Sequence, residues 1–239
     1  MMTMTSVWLI LAAILPAAFF FFYIMFFDSY KPEPPSALLL SALLGGVAGL
    51  AVWFGVPVES ETIPIEFAHD WKESLEIGFL KLAVPAEIAK WMLLCVFFSL
   101  NKYFDEHVDG IVYSVSLSMG YVGAWGAWLL SDLLSSSYPV TLQTVLTNGA
   151  FLIPLHLITG SVMGYFFGSS LDGNKVRNFL LALLLPILVS GLVNFLAMLI
   201  GSHWEFYLVL DVLLVILGML FYTLIYKSLE KDGVNINKR

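Results

Sequence analysis

The sequence predicts an all-α fold, a polytopic integral membrane protein of about seven transmembrane helices with its N-terminus outside and its C-terminus in the cytoplasm. Three observations carry this expectation. Of 239 residues, 59% are hydrophobic and only 12% charged, and the mean hydropathy is +0.88. The apolar residues fall into runs near the length that crosses a hydrocarbon core about 30 Å thick. Lysine and arginine gather in alternate connecting segments, the pattern that sets membrane orientation. The partner implied by this composition is the lipid bilayer. A net charge of -7 argues against nucleic acid, which requires a basic footprint. The single cysteine, Cys95, lies in an apolar run, so no disulfide framework is available.

Taken in order, the spans are expected near 7–27, 37–56, 78–100, 110–131, 148–169, 178–200 and 204–226. The first has no basic residue before it and is too long for a cleaved leader, so it reads as a retained helix. Gly45, Gly46 and Gly49 in the second, and Gly120, Gly123 and Gly126 in the fourth, mark small-residue faces that permit close helix approach. With the N-terminus outside, Lys31, Lys102, Lys175, Arg177, Lys227, Lys231, Lys238 and Arg239 are cytoplasmic. Only Lys72 is then external, with Lys81 just inside a helix start. Residues 1–239 thus make a single transmembrane domain, carrying an acidic outer loop over 57–77 and a short cytoplasmic tail over 227–239. In the loop Phe67, Trp71 and Leu75 recur every four residues. That stripe suits either a short helix lying on the membrane surface or a solvated loop with one interfacial anchor. His203 and Glu205, beside Trp204, read as anchors at the outer interface.

Inside the third span lies Pro85-Ala86-Glu87-Ile88-Ala89-Lys90. An ionisable residue at such depth costs at least roughly 2.5 kcal/mol and marks a candidate functional site. Glu87 and Lys90 share a helical face, so each partly neutralises the other. At 1.5 Å per residue, Glu87 lies roughly 14 Å below the outer surface and His156 roughly 12 Å. Ser190 falls at roughly 12 Å, Asp211 at roughly 10 Å and Asn194 at roughly 6 Å from the same side. Polar groups from four helices therefore occupy one layer. A carboxylic acid, an imidazole and nearby amides in a water-lined pocket suit general acid/base chemistry. The same groups suit a proton-coupled transporter, and Ser190 and Asn194 also suit plain helix–helix hydrogen bonding. Glu87, His156 and Asp211 could supply metal ligands, although their spacing matches no standard zinc motif. At the cytoplasmic mouth of the fourth span, Asp105, Glu106, His107 and Asp109 have a spacing that could hold a metal, but no second ligand set is evident. The expected role there is a solvated loop, with Asp109 capping a helix that begins at Gly110.

The ordered motifs resemble the PrsW family of intramembrane proteases, relatives of the CAAX-prenyl endopeptidases. Pro16, then Asp28-Ser29-Tyr30-Lys31-Pro32-Glu33-Pro34, is similar to the family's proline and D-x-x-x-PEP series. Glu87 and Lys90 match the second glutamate and the lysine of its EExxK motif. Asp109-Gly110-Ile111-Val112-Tyr113 matches its DGIVY signature, and Pro154-Leu155-His156 with Gly160, Met163-Gly164-Tyr165 and Gly168 resembles its histidine helix. The likeness covers roughly residues 10–200. It departs at three places. Ala86 stands for the first glutamate of EExxK, Trp125-Gly126 for a Glu-Asn pair, and Ser190 for the histidine of an H-G-x-x-N motif whose Gly191 and Asn194 remain.

What the resemblance implies is an intramembrane peptidase of the bacterial cytoplasmic membrane, cleaving membrane-protein substrates with a Glu/His-activated water. Glu87 would be the base or a partner to it, Lys90 would hold the carboxylate, and His156 would orient water or stabilise the tetrahedral intermediate. Asn194 would support them. No cofactor is required by that scheme. Ala86, the position of the missing glutamate, implies an impaired or inactive form. The alternatives are a non-catalytic pseudoprotease that binds membrane proteins in the same cavity and a proton-coupled transporter. No inverted repeat or pair of broken helices supports the transporter.

Overall fold

The computed structural model describes residues 4–27, 32–56, 70–100, 104–135, 142–200 and 204–233. All regular structure among them is helical, as lipid demands of a backbone that has no water to bond. The helices are α1 (Met4–Phe27), α2 (Pro35–Gly55), α3 (71–100), α4 (His107–Ser135), α5 (Leu142–Gly168), α6 (Lys175–Ile200) and α7 (Trp204–Lys231). Among the described residues, four stretches are long and apolar enough to cross a membrane by length and composition: Pro35–Gly55, Phe151–Gly168, Lys175–Leu199 and Val212–Lys231. α6 exposes Leu180, Leu184, Leu188 and Leu192, one every four residues, and α7 exposes Val212, Val215, Ile216 and Met219. Apolar stripes of this kind are a liability in water and the natural surface toward acyl chains. The chain is an integral membrane protein.

The hub is α4, buried without a break from Val108 to Met119 and packed against α1, α2 and α5. Glycines set the closest approaches. A Cβ on Gly120 would strike the Ala42 carbonyl of α2, and one on Gly164 would strike the Gly110 carbonyl of α4. The expected Gly120, Gly123 and Gly126 seam is only partly used. Gly123 would meet the Ala17 Cβ at 3.7 Å, and Gly126 has nothing within 4 Å. Steps of three residues drift by about 60° around a helix, so such a row winds away from a straight partner. Gly45 and Gly49, four apart, drift less and both face α4 backbone, at Leu117 and Tyr121.

α3 starts earlier than expected. Asp70 caps it, its Oδ1 accepting the backbone N–H groups of Lys72 and Glu73 at 2.8 Å each. The helix is α over Trp71–Leu75, π over Glu76–Ala83 and α again over Val84–Leu100. Pro85 has no N–H to give to a carbonyl four residues back, and the ladder just before it is widened, with Val84 N–H reaching the Phe79 carbonyl. Trp71 and Leu75 are therefore the opening turn of this long helix, not a separate surface helix, although both are exposed. Phe67 and the rest of 57–69 lie outside the described residues, as do His203 and the side chains of Trp204 and Glu205.

The far end of the bundle also corrects the sequence reading. α4 begins at His107, three residues before the expected Gly110. Asp109 sits in its first turn and reaches backward, its Oδ2 accepting the N–H of Glu106 at 2.6 Å and of Asp105 at 2.9 Å. This is the return half of a capping box, which a side chain inside the first turn can make and an N-cap residue cannot. The forward cap comes from the other end of the chain. α7 continues to Lys231, and Asp232 accepts the N–H of His107 at 2.8 Å and of Val108 at 2.9 Å. Residues 227–231 are thus helical and Asp232 is tied to α4, while 234–239 lie outside the described residues.

Candidate active site

α3 and α5 bring Glu87, Lys90 and His156 together. Glu87 and Lys90 are both 0% exposed. Ionised groups in such surroundings survive only when paired and hydrogen-bonded. The Lys90 ammonium has three hydrogens and meets three acceptors: Glu87 Oε1 at 2.8 Å, His156 Nδ1 at 3.2 Å and Thr159 Oγ1 at 3.2 Å. His156 Nδ1 lies 4.0 Å from Glu87 Oε1, so the ammonium stands between acid and imidazole. Because Nδ1 faces a donor it acts as acceptor, which leaves Nε2 carrying the ring proton. Tyr121 of α4 closes the group, its ring centroid 5.1 Å from that of His156 and 5.8 Å from Lys90 Nζ. Glu87 Oε2 is buried with no hydrogen-bond partner.

Beside this group is a cavity of about 30 Å³, room for one or two waters. Its walls include Ala86 of α3, Tyr121 and Trp125 of α4, His156 of α5, and Ser190 and Asn194 of α6. Asn194 Nδ2 donates to Ser190 Oγ at 3.3 Å. Glu87 is not part of this wall. Glu87 points about 100° further round the helix than Ala86. Ala86 faces it; Glu87 turns to Lys90. The three positions where the family pattern is broken, Ala86, Trp125 and Ser190, thus line one cavity together with His156 and Asn194.

Of the expected layer, Glu87, Lys90 and His156 meet directly, Ser190 and Asn194 join them across the cavity, and the Asp211 side chain lies outside the described residues. Two partners were missed from sequence. Thr159 lies one turn beyond His156, a spacing that places both on one face of α5, and this was a readable signal. Tyr121 carried none, since an aromatic in an apolar helix is ordinary core.

The family model described as PrsW family intramembrane metalloprotease matches residues 33–224. Curated relatives agree. The chain is 28% identical over 208 residues to Protease PrsW of Oceanobacillus iheyensis, covering 85% of this chain and 88% of the relative. It is 26% identical over 227 residues to Protease PrsW of Clostridioides difficile, covering 93% and 90%. With Protease PrsW of Bacillus subtilis the identity is 28% over 203 residues, covering 84% and 87%. No solved structure matches.

Proposed function

The chain belongs to the PrsW family of intramembrane metalloproteases, and from that premise we propose that its cavity is a peptide-hydrolysing site in which residue 86, not Glu87, holds the position that activates water. The carrying observation is that Ala86 lines the water-sized cavity with His156 and Asn194, whereas Glu87 is bound to Lys90 on another side of the helix. A carboxylate at 86 would take a proton from water as the oxygen attacks the scissile carbonyl carbon, then return it to the departing amine. His156 would donate a hydrogen bond from Nε2–H to the carbonyl oxygen as charge develops there, keeping its proton, and Asn194 would hold the substrate amide. Lys90 positions His156 by contacting Nδ1, and Glu87 holds the Lys90 side chain in place. With alanine at 86 the general base is missing, a loss of about 10²–10⁴ in rate.

The family description carries a metal, and the donor set of the cavity does not fit one. The ammonium of Lys90 fills the space between Glu87 and His156, while Ser190 and Asn194 are neutral and Ala86 has no donor atom. A catalytic zinc needs three protein ligands.

The substrates that suit this site are membrane proteins entering from the bilayer. We read the seven helices as seven crossings of the bacterial cytoplasmic membrane with the N-terminus outside, on the asymmetry of lysine and arginine. A second reading, a non-catalytic member that binds membrane proteins, is favoured by one observation: Trp125 and Ser190 line the same cavity as Ala86, so more than one polar group of the family pattern is absent from it. One experiment separates the two. The protein and an Ala86→Glu variant are each incubated in liposomes with a panel of single-span substrates. Cleavage by the variant alone, lost again in Ala86→Glu/His156→Ala, is the expected outcome. Cleavage by neither favours binding. Cleavage by the unaltered chain that Glu87→Gln abolishes would return the base to Glu87.

A further inference from the structure

Two motifs that the hydrolytic reading leaves unused meet at the opposite end of the bundle. Glu33, between Pro32 and Pro34 just before α2, lies next to the Asp105–Asp109 segment that opens α4. Glu33, Asp105 and Asp109 each offer a carboxylate oxygen, and these oxygens lie within 4.8 Å of one another. This is the second ligand set that the sequence could not supply. Glu33 is 7% exposed and Asp109 0%. The positions are fixed from outside the group: the Tyr113 hydroxyl donates to Glu33 Oε2, and Asp109 Oδ2 is held by the two backbone N–H groups of its own helix start. That leaves Asp109 Oδ1, which is buried and has no hydrogen-bond partner. A buried carboxylate oxygen without a donor is costly. One bound cation removes that cost.

We propose that Glu33, Asp105 and Asp109 bind one hard divalent cation, of the Mg²⁺, Mn²⁺ or Ca²⁺ class, that fastens the start of α2 to the start of α4. Oxygen-only donors favour these ions over zinc, which prefers imidazole and thiolate. The nearby imidazole faces other carboxylates, with His107 Nδ1 2.7 Å from Asp232 Oδ1 and Nε2 3.1 Å from Asp172 Oδ1, the latter without hydrogen-bond geometry. The site is distinct from the cavity. Gly110, next to Asp109, packs on Gly164, and Gly164 is two turns of α5, or about 12 Å, beyond His156.

The test uses the full chain in nanodiscs, stripped with EDTA and titrated with Mn²⁺ to about 1 mM, the weak end of carboxylate sites. Loss of the free Mn²⁺ electron-paramagnetic-resonance signal is expected to saturate at one ion per chain and to be reversed by Mg²⁺ or Ca²⁺. Asp109→Asn should weaken binding by about tenfold or more, while Glu76→Gln, at an exposed carboxylate far from the site, leaves it unchanged. Thermal unfolding supplies the second readout: Mn²⁺ raises the melting temperature of the unaltered chain and not of Asp109→Asn. Should Asp109→Asn fail to fold, Asp105→Asn carries the same expectation, because its side chain is exposed. Absence of saturable binding, or equal binding by the variants, overturns the proposal. So does stabilisation by acid with no response to Mn²⁺, which would mean that the carboxylates share a proton.

Discussion

Replacing Lys90 with methionine should be among the most damaging single changes outside the cavity wall. Methionine keeps most of the volume and removes the charge, so the effect isolates the ion pair from packing. In the folded protein Glu87 and Lys90 are both 0% exposed, and the 2.8 Å contact between them is what makes either charge tolerable at that depth. Without the ammonium, Glu87 Oε1 loses that donor, and Oε2 already has none. Stranding one partner of a buried pair costs about 3–5 kcal/mol. Loss of the Thr159 contact adds about 1 kcal/mol. At roughly 2–4 °C per kcal/mol for a chain of this size, a fall of roughly 8–24 °C is expected. The sharper figure is the coupling. Glu87→Gln/Lys90→Met leaves no stranded charge and should be more stable than the sum of the single losses predicts, by about 2 kcal/mol, within the range for contacting residues. Unfolding in mixed micelles followed by helical circular dichroism gives all four corners of the cycle. A cost below about 1 kcal/mol for Lys90→Met, or a double variant no better than additive, would refute the claim that this pair is a buried, mutually dependent unit.

Three further outcomes follow from the same geometry. Gly120→Leu drives a side chain into the Ala42 carbonyl of α2; overpacking against backbone should cost about 1–3 kcal/mol, whereas Gly126→Leu, with nothing within 4 Å, should be near neutral in the same unfolding assay. Asp232→Ala removes the acceptor for the His107 and Val108 N–H groups and should lower stability by about 0.5–2 kcal/mol, measured by thermal unfolding; no loss would return this segment to the role of a passive tail. In proteoliposomes under an imposed pH gradient, the protein should carry no proton-coupled flux above empty vesicles; flux abolished by Glu87→Gln would revive the transporter reading.

Much of this protein was determined by its sequence alone, and the reason is periodicity. Apolar run length dictates helices in lipid, and the helical repeat puts Glu87 beside Lys90 and places His156 at a matching depth. Both relations are local or one-dimensional, so counting residues recovers them. The resemblance to the EExxK motif, not counting, marked Ala86 as the position of an absent carboxylate. What it could not decide is which way that position points. The rotation of α3 at this level follows a π-helical stretch and Pro85, and its consequence, Ala86 toward the cavity and Glu87 toward Lys90, appears only when α4, α5 and α6 are in place around it. The same holds at the other end of the bundle. Glu33 reaches Asp109 across more than seventy residues, and Asp232 caps a helix that begins far earlier in the chain. No repeat or spacing encodes these meetings; they are set by how glycine-lined helices close on one another. The sequence comparison already singled out Ala86; the tertiary structure adds that Ala86 lines the cavity while Glu87 is bound to Lys90.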